Sequence, residues 1–122
     1  SILVFAFMFR FDHASYATFL PKSITTAIGI GVSEELGGYV AVTVVVIIIT
    51  GVIGNIFAEK FLKLLKITES VAKGIAIGSS SHAIGTTKAM EMGAVEGAMS
   101  SLSIVVSGIL TVVAASLFAG II

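Results

Sequence analysis

Residues 36–58 run for 23 positions without a charged side chain, and residues 97–122 run for 26. No other feature constrains the fold as tightly. A helix needs about 20 residues to cross the hydrocarbon core of a bilayer. Both runs supply that length, and the second has enough excess to tilt. The centre of the first, Val40-Ala41-Val42-Thr43-Val44-Val45-Val46-Ile47-Ile48-Ile49, is β-branched. In water that would suit a buried strand, but the run is far too long for one. Both are read as membrane spans. Composition agrees, with 57% of the 122 residues hydrophobic and 11% charged, where soluble domains carry about 25% charge. So apolar a chain is not disordered. Seven Lys+Arg balance seven Asp+Glu, so nothing draws a polyanion and nucleic acid is not an expected partner. Without cysteine there is no disulfide framework and no thiolate chemistry.

The predicted class is therefore all-α: a polytopic helical membrane protein, with residues 1–122 forming one transmembrane domain. The opening Ser1-Ile2-Leu3-Val4-Phe5-Ala6-Phe7-Met8-Phe9 lacks the basic leader and cleavage site of a signal peptide. It reads as the tail of a helix, and the chain as the C-terminal half of a longer protein.

Between the spans lies Glu59-Lys60-Phe61-Leu62-Lys63-Leu64-Leu65-Lys66, with lysine at every third position. That spacing suits a short amphipathic helix lying at the interface. Lys73 adds a fourth positive charge. Lysine-rich short loops stay in the cytoplasm, which puts the C-terminal end of the first span inside and Glu34 and Glu35 outside.

Two further segments, 21–35 and 70–96, are apolar enough to enter a membrane yet are interrupted by glycine and hydroxyl residues. Broken backbone at membrane depth is tolerated only where it lines a cavity or is buried in protein. Both are expected to be discontinuous helices. At an offset of 61, Thr25-Thr26 falls on Thr86-Thr87 and Glu35 on Glu96, and an uncharged span follows each copy. This is the pattern of an internal repeat, a common plan among secondary transporters. If 70–96 crosses once, the two spans are parallel; if it re-enters, they are antiparallel. The sequence leaves that choice open.

The polar residues concentrate in these segments. Pro21 suits the first turn of a helix, and Lys22, Ser23, Thr25 and Thr26 then gather at a helix N-terminus, where N–H groups and partial positive charge favour an anion. The other reading is capping and back-bonding of the hydroxyls within the helix. Ser79-Ser80-Ser81-His82-Ala83-Ile84-Gly85-Thr86-Thr87-Lys88 is the densest polar run. Ionisable groups within membrane segments usually face a cavity or a partner. Ser81, His82, Thr86, Thr87 and Lys88 are accordingly substrate-binding candidates. Alternatively, His82 bonds a backbone carbonyl, while Lys88 snorkels or pairs with Glu91.

Catalysis is not expected. Ser81 and His82 are adjacent, so their side chains do not face one another on a helix. There is no G-x-S-x-G elbow and no H-E-x-x-H zinc motif, and no metal or cofactor is called for. His13, beside Asp12 and Arg10, suits an interfacial loop. Small residues four apart at Gly74/Gly78, Gly93/Gly97 and Ser116/Gly120 favour close helix packing, and Asn55 reads as interhelical glue.

Leu20-Pro21-Lys22-Ser23-Ile24-Thr25-Thr26, Ile49-Thr50-Gly51-Val52-Ile53-Gly54 and Ser81-His82-Ala83-Ile84-Gly85-Thr86 together resemble the LrgB/CidB family of bacterial antiholin-like membrane proteins, which has relatives in plastid envelopes. The resemblance covers about residues 19–122 and departs from the family pattern at Ala27, where proline is expected. It implies a multi-pass protein of the bacterial inner membrane and a small holin-like partner of the LrgA/CidA kind. Because the polar segments lack half of their expected repeat partners, a larger chain or a homo-oligomer is expected to complete the site. Two functions go with the family. One is modulation of holin-type pores, murein hydrolase export and lysis. The other is transport of small carboxylates of the pyruvate, glycolate or glycerate class. The broken polar segments suit the second: a carboxylate would take helix N-termini and Lys22 or Lys88, and its hydroxyl or keto oxygen would take Ser/Thr and His82.

Overall fold

The computed structural model describes residues 2–121, which are helical in six segments: α1 (Ile2–Phe9), α2 (His13–Phe19), α3 (Thr26–Glu35), α4 (Val40–Leu64), α5 (Ser70–Met92) and α6 (Ala94–Ala119). Two of these, α4 and α6, are long and apolar enough to cross a membrane. Only 17% and 22% of their most apolar stretches are buried, whereas a core helix of a soluble protein is mostly buried. Val45, Ile48, Ile49, Val52 and Ile56 line an exposed face of α4, and Val105, Ile109, Val112 and Val113 do so on α6. In water such faces would aggregate; hydrocarbon suits them.

The α4 span begins at Val40 rather than at residue 36. Gly37 adopts φ +76°, and a Cβ on Gly38 would lie 2.8 Å from the Thr18 N. This glycine pair makes the turn into α4. At its other end α4 runs on to Leu64, so Lys60 and Lys63 belong to its last turns. The separate interfacial helix expected over 59–66 does not form. No glycine or proline interrupts residues 55–65, and 25 residues at about 1.5 Å each outrun a core of about 30 Å. The lysines ride on the overhang. Lys66, at φ 56°, then turns the chain so that the Ile67 N–H donates to the Leu62 carbonyl at 2.9 Å.

The helix expected to open at Pro21 starts at Thr26 instead. Without an N–H, Pro21 cannot extend α2. The chain passes through turns (Lys22 N–H to Phe19 O at 3.2 Å, Ile24 N–H to Pro21 O at 3.3 Å) and an extended Thr25 before α3 begins. Helices α2 and α3 lie against each other head to tail. His13, which starts α2, donates from Nε2 to the Leu36 carbonyl just past α3 at 3.1 Å. Thr18 Oγ1 accepts from the Tyr39 N–H at 2.7 Å, and Thr43 Oγ1 reaches Ser33 Oγ at 2.7 Å and Thr18 O at 3.0 Å. Both helices are thus tied to the first turns of α4, and the 20–25 turn lies at their far end.

Helix α5 contains one residue outside helical geometry, His82 (φ 42°, ψ −141°), where two helical stretches meet across a kink. Residues on the two sides of the kink lie close together. Ile77 and Ala89 share one core cluster with Ala58 and Leu62, although twelve residues of straight helix span about 18 Å. A Cβ on Gly85 would lie 3.2 Å from Ile77 Cγ2. Ser100 of α6 touches both arms: Thr86 Oγ1 is 2.7 Å from its Oγ, and a Cβ on Gly78 would lie 2.8 Å from its Cα. The expected close approach at Gly74, Gly78 and Gly97 is where α5 and α6 meet, with Gly74 against Met99 and Gly97 against Met90.

Candidate functional site

The two turns meet beside the middle of α4. A cavity of about 420 Å³ is walled by Lys22 from the 20–25 turn, Ser80 and Ser81 from α5 just before its kink, and Thr50, Ile53 and Gly54 from α4. Gly54 makes the meeting close, since a Cβ there would lie 3.6 Å from the Ser81 Cα and strike its side chain. Apolar side chains, Leu62 and Ile77 among them, close the rest. Such a cavity, mostly apolar with a few convergent polar groups, is the usual form of a small-molecule site.

Lys22 is half-buried. Its Nζ donates to Ser23 Oγ at 2.6 Å, and among the described residues the ion pairs are those of Lys88. A half-buried ammonium facing a cavity without a carboxylate partner is an electrostatic opening for an anion. Thr25 is the N-cap residue of α3 but makes no capping bond from its side chain. Thr26 is the first residue of α3, on the same turn.

The remaining candidates lie elsewhere. His82 is buried, and its Nε2 donates to the Ile47 carbonyl at 2.9 Å. Thr86 bonds the His82 carbonyl at 2.9 Å as well as Ser100. Thr87 Oγ1 accepts from Asn55 Nδ2 at 2.6 Å, and the same amide donates to the Ile84 carbonyl at 2.8 Å. Asn55 is thus glue between α4 and α5. Lys88 Nζ reaches Glu59 at 2.9 Å and Glu91 at 3.3 Å, toward the lysine end of α4. Lys22 and Ser81 therefore share the cavity, Ser23 borders it through Lys22, and His82, Thr86, Thr87 and Lys88 hold helices to one another.

Two cavity residues escaped the sequence reading as site candidates. Ser80 lay within the polar run but had no feature to separate it from its neighbours. Thr50 is one of two threonines in a largely apolar span, and only the turns that approach it distinguish it from Thr43.

The chain matches the LrgB-like family over residues 1–121. It belongs to that family. The match takes in the segment before residue 19, beyond the part that carries the motif resemblance. Among curated relatives, a protein of Bacillus subtilis (strain 168) named YxaC is 45% identical over 108 residues, 88% of this chain and 47% of its own length. The holin-like protein CidB of Staphylococcus aureus (strain Mu50) is 42% identical over 112 residues, 90% of this chain and 49% of its own. CidB of Staphylococcus epidermidis is 40% identical over a similar stretch. The chain thus spans about half the length of the curated relatives it matches. No solved structure matches it. Family and apolar helices together point to a membrane protein, with holin-like proteins among its relatives.

Proposed function

We propose that this chain forms part of a membrane carrier for small carboxylates of the pyruvate, glycolate or glycerate class. The observation that supports it most is the single cavity where Lys22 from one turn faces Ser80 and Ser81 from the other. The carboxylate pairs with Lys22, assisted by Ser23 and the free N–H groups at the start of α3 around Thr25 and Thr26. The substrate's hydroxyl or keto oxygen takes Ser80, Ser81 and Thr50. His82 acts on this site indirectly, by holding the Ser80-Ser81 turn against α4. Nothing in this chemistry requires a bond to be made or broken, so the reading is of a carrier and not an enzyme.

The topology we propose supports transport. The α2–α3 pair re-enters from the Glu34/Glu35 end and α5 from the lysine end, each followed by a long span, so that α4 and α6 run antiparallel. The repeat is then inverted, with its two turns meeting at mid-depth, a plan shared by many secondary transporters. A second reading, modulation of a holin-type pore together with a small partner protein, is favoured by the description of the CidB relatives as holin-like.

Uptake of labelled glycolate and pyruvate into proteoliposomes of the full-length protein, with and without the small partner, separates the two. Saturable uptake that Lys22→Gln removes supports the carrier. Leakage of an unrelated dye without saturable uptake supports the pore.

A further inference from the structure

We infer that a second cavity, at the lysine end of α4, is an anion-collecting vestibule that leads to the first and is separated from it by Leu62 and Ile67. This rests on the carrier reading and adds the route by which the anion reaches the site. The second cavity has a volume of about 580 Å³, and Lys63, Lys66, Lys73, Glu59 and Glu96 supply its charge. Leu62 and Ile67 line both cavities. Their backbones are joined by the Ile67 N–H to Leu62 O bond at 2.9 Å, which the left-handed Lys66 makes possible. Leu62 is buried, and Ile67 packs on the same core cluster. The partition consists of these two side chains, each of which reaches both cavities, and Ile67 belongs to the α4–α5 loop.

The charges favour an anion. Glu59 is held by Lys88 at 2.9 Å, and Glu96 is buried at the start of α6. Lys63, Lys66 and Lys73 have no ion-pair partner among the described residues. Three ammonium groups thus face two carboxylates, one of which Lys88 already neutralises. A cleft lined by one sign of charge raises the local concentration of the opposite ion. Lysine ammonium groups are strongly hydrated and flexible, so they gather a carboxylate without trapping it. The half-buried Lys22 beyond the partition then holds it.

The test uses the full-length protein with a single cysteine at Ser80→Cys, in vesicles of zwitterionic lipid. Labelling from the lysine side is timed with two membrane-impermeant thiosulfonate reagents of similar size, one anionic and one neutral. Replacing Lys63, Lys66 and Lys73 together by Gln should slow the anionic reagent about threefold to tenfold, leave the neutral one unchanged, and be rescued by Arg at the three positions. Leu62→Ala should speed both reagents. Equal rates with and without the lysines, or labelling only from the opposite side, would overturn the vestibule. So would a lysine effect confined to vesicles containing anionic lipid, which would make the cleft a phosphate-headgroup site. Labelling does not require transport, so a wild type that shows this pattern but no uptake would sink the carrier reading and leave the route standing.

Discussion

The His82 Nε2 lies 2.9 Å from the Ile47 carbonyl oxygen, and this bond fastens the turn of α5 to the centre of α4. A carbonyl only accepts, so Nε2 carries the hydrogen. Ile47 is fully buried, and its side chain abuts Gly29 of α3. One residue of α4 therefore meets both α5 and α3, through its carbonyl on one side and its methyl end on the other. This makes His82 a positioning residue, because Ser80 and Ser81 reach the cavity only while the turn is held in place.

That role sets an unusual order of stabilities. His82→Ala loses a buried hydrogen bond worth about 1–2 kcal/mol and keeps a positive φ that Ala tolerates poorly. His82→Gly loses the same bond but relieves backbone strain of about 1–3 kcal/mol. The thermal midpoint of the full-length protein in detergent, followed by circular dichroism, should fall more for Ala than for Gly. The reverse order would mean that the φ of 42° carries no strain.

The re-entrant course proposed for α5 predicts a pattern of accessibility. Single cysteines at Glu69 and Glu91 flank its two arms and should react with an impermeant reagent from the same side of the membrane. A cysteine at Glu35 should react from the other side. Labelling of Glu69→Cys and Glu91→Cys from opposite sides would make α5 a simple crossing.

Glycines at the helix contacts should differ sharply in their tolerance. A Cβ on Gly78 would lie 2.8 Å from the Ser100 backbone, which cannot move aside cheaply, whereas nothing lies within 4 Å of one on Gly31. Gly78→Ala should cost at least about 1–3 kcal/mol through overpacking. Gly31→Ala should gain up to about 1 kcal/mol from helix propensity. Equal thermal midpoints for the two variants would contradict the packing of α5 on α6.

The two candidate lysines should separate as well. Lys88 and Glu59 are 26% and 44% exposed, and a partly exposed pair contributes at most about 1 kcal/mol. Lys88→Gln should leave uptake near the wild-type rate, with only a small coupling energy in a double-mutant cycle with Glu59→Gln. Loss of uptake in Lys88→Gln would return Lys88 to the site.

How much of this was legible in the sequence follows from the range of the forces involved. The absence of charge over 36–58 and 97–122 is a local property, and these stretches overlap the two long apolar helices α4 and α6. The 59–66 segment misled because amphipathic spacing says nothing about whether a helix is continuous with its neighbour. The polar run 79–88 was visible, but not the position of its kink, since His82 has neither the glycine nor the proline that usually marks one. The offset of 61 paired Thr25-Thr26 with Thr86-Thr87. At that offset His82 falls on Pro21, inside the 20–25 turn, but one break is a turn of several residues and the other a single residue, so the threonine pairing alone did not show where either lay. Thr86, Thr87 and Lys88 read as ligands because hydroxyls and charges in apolar surroundings need partners. Only the fold shows that Ser100, Asn55 and Glu59 supply them.

The central claim is that Lys22 and Ser81, brought from separate turns to one cavity, bind a small carboxylate in transit. It is tested most directly by the concentration dependence of labelled glycolate uptake in proteoliposomes of the full-length protein, comparing wild type, Lys22→Gln, Lys22→Arg and Ser81→Ala. The account predicts saturable wild-type uptake, none with Lys22→Gln, partial recovery with Lys22→Arg, and a raised KM with Ser81→Ala. Wild-type kinetics in a correctly inserted Lys22→Gln protein would contradict it.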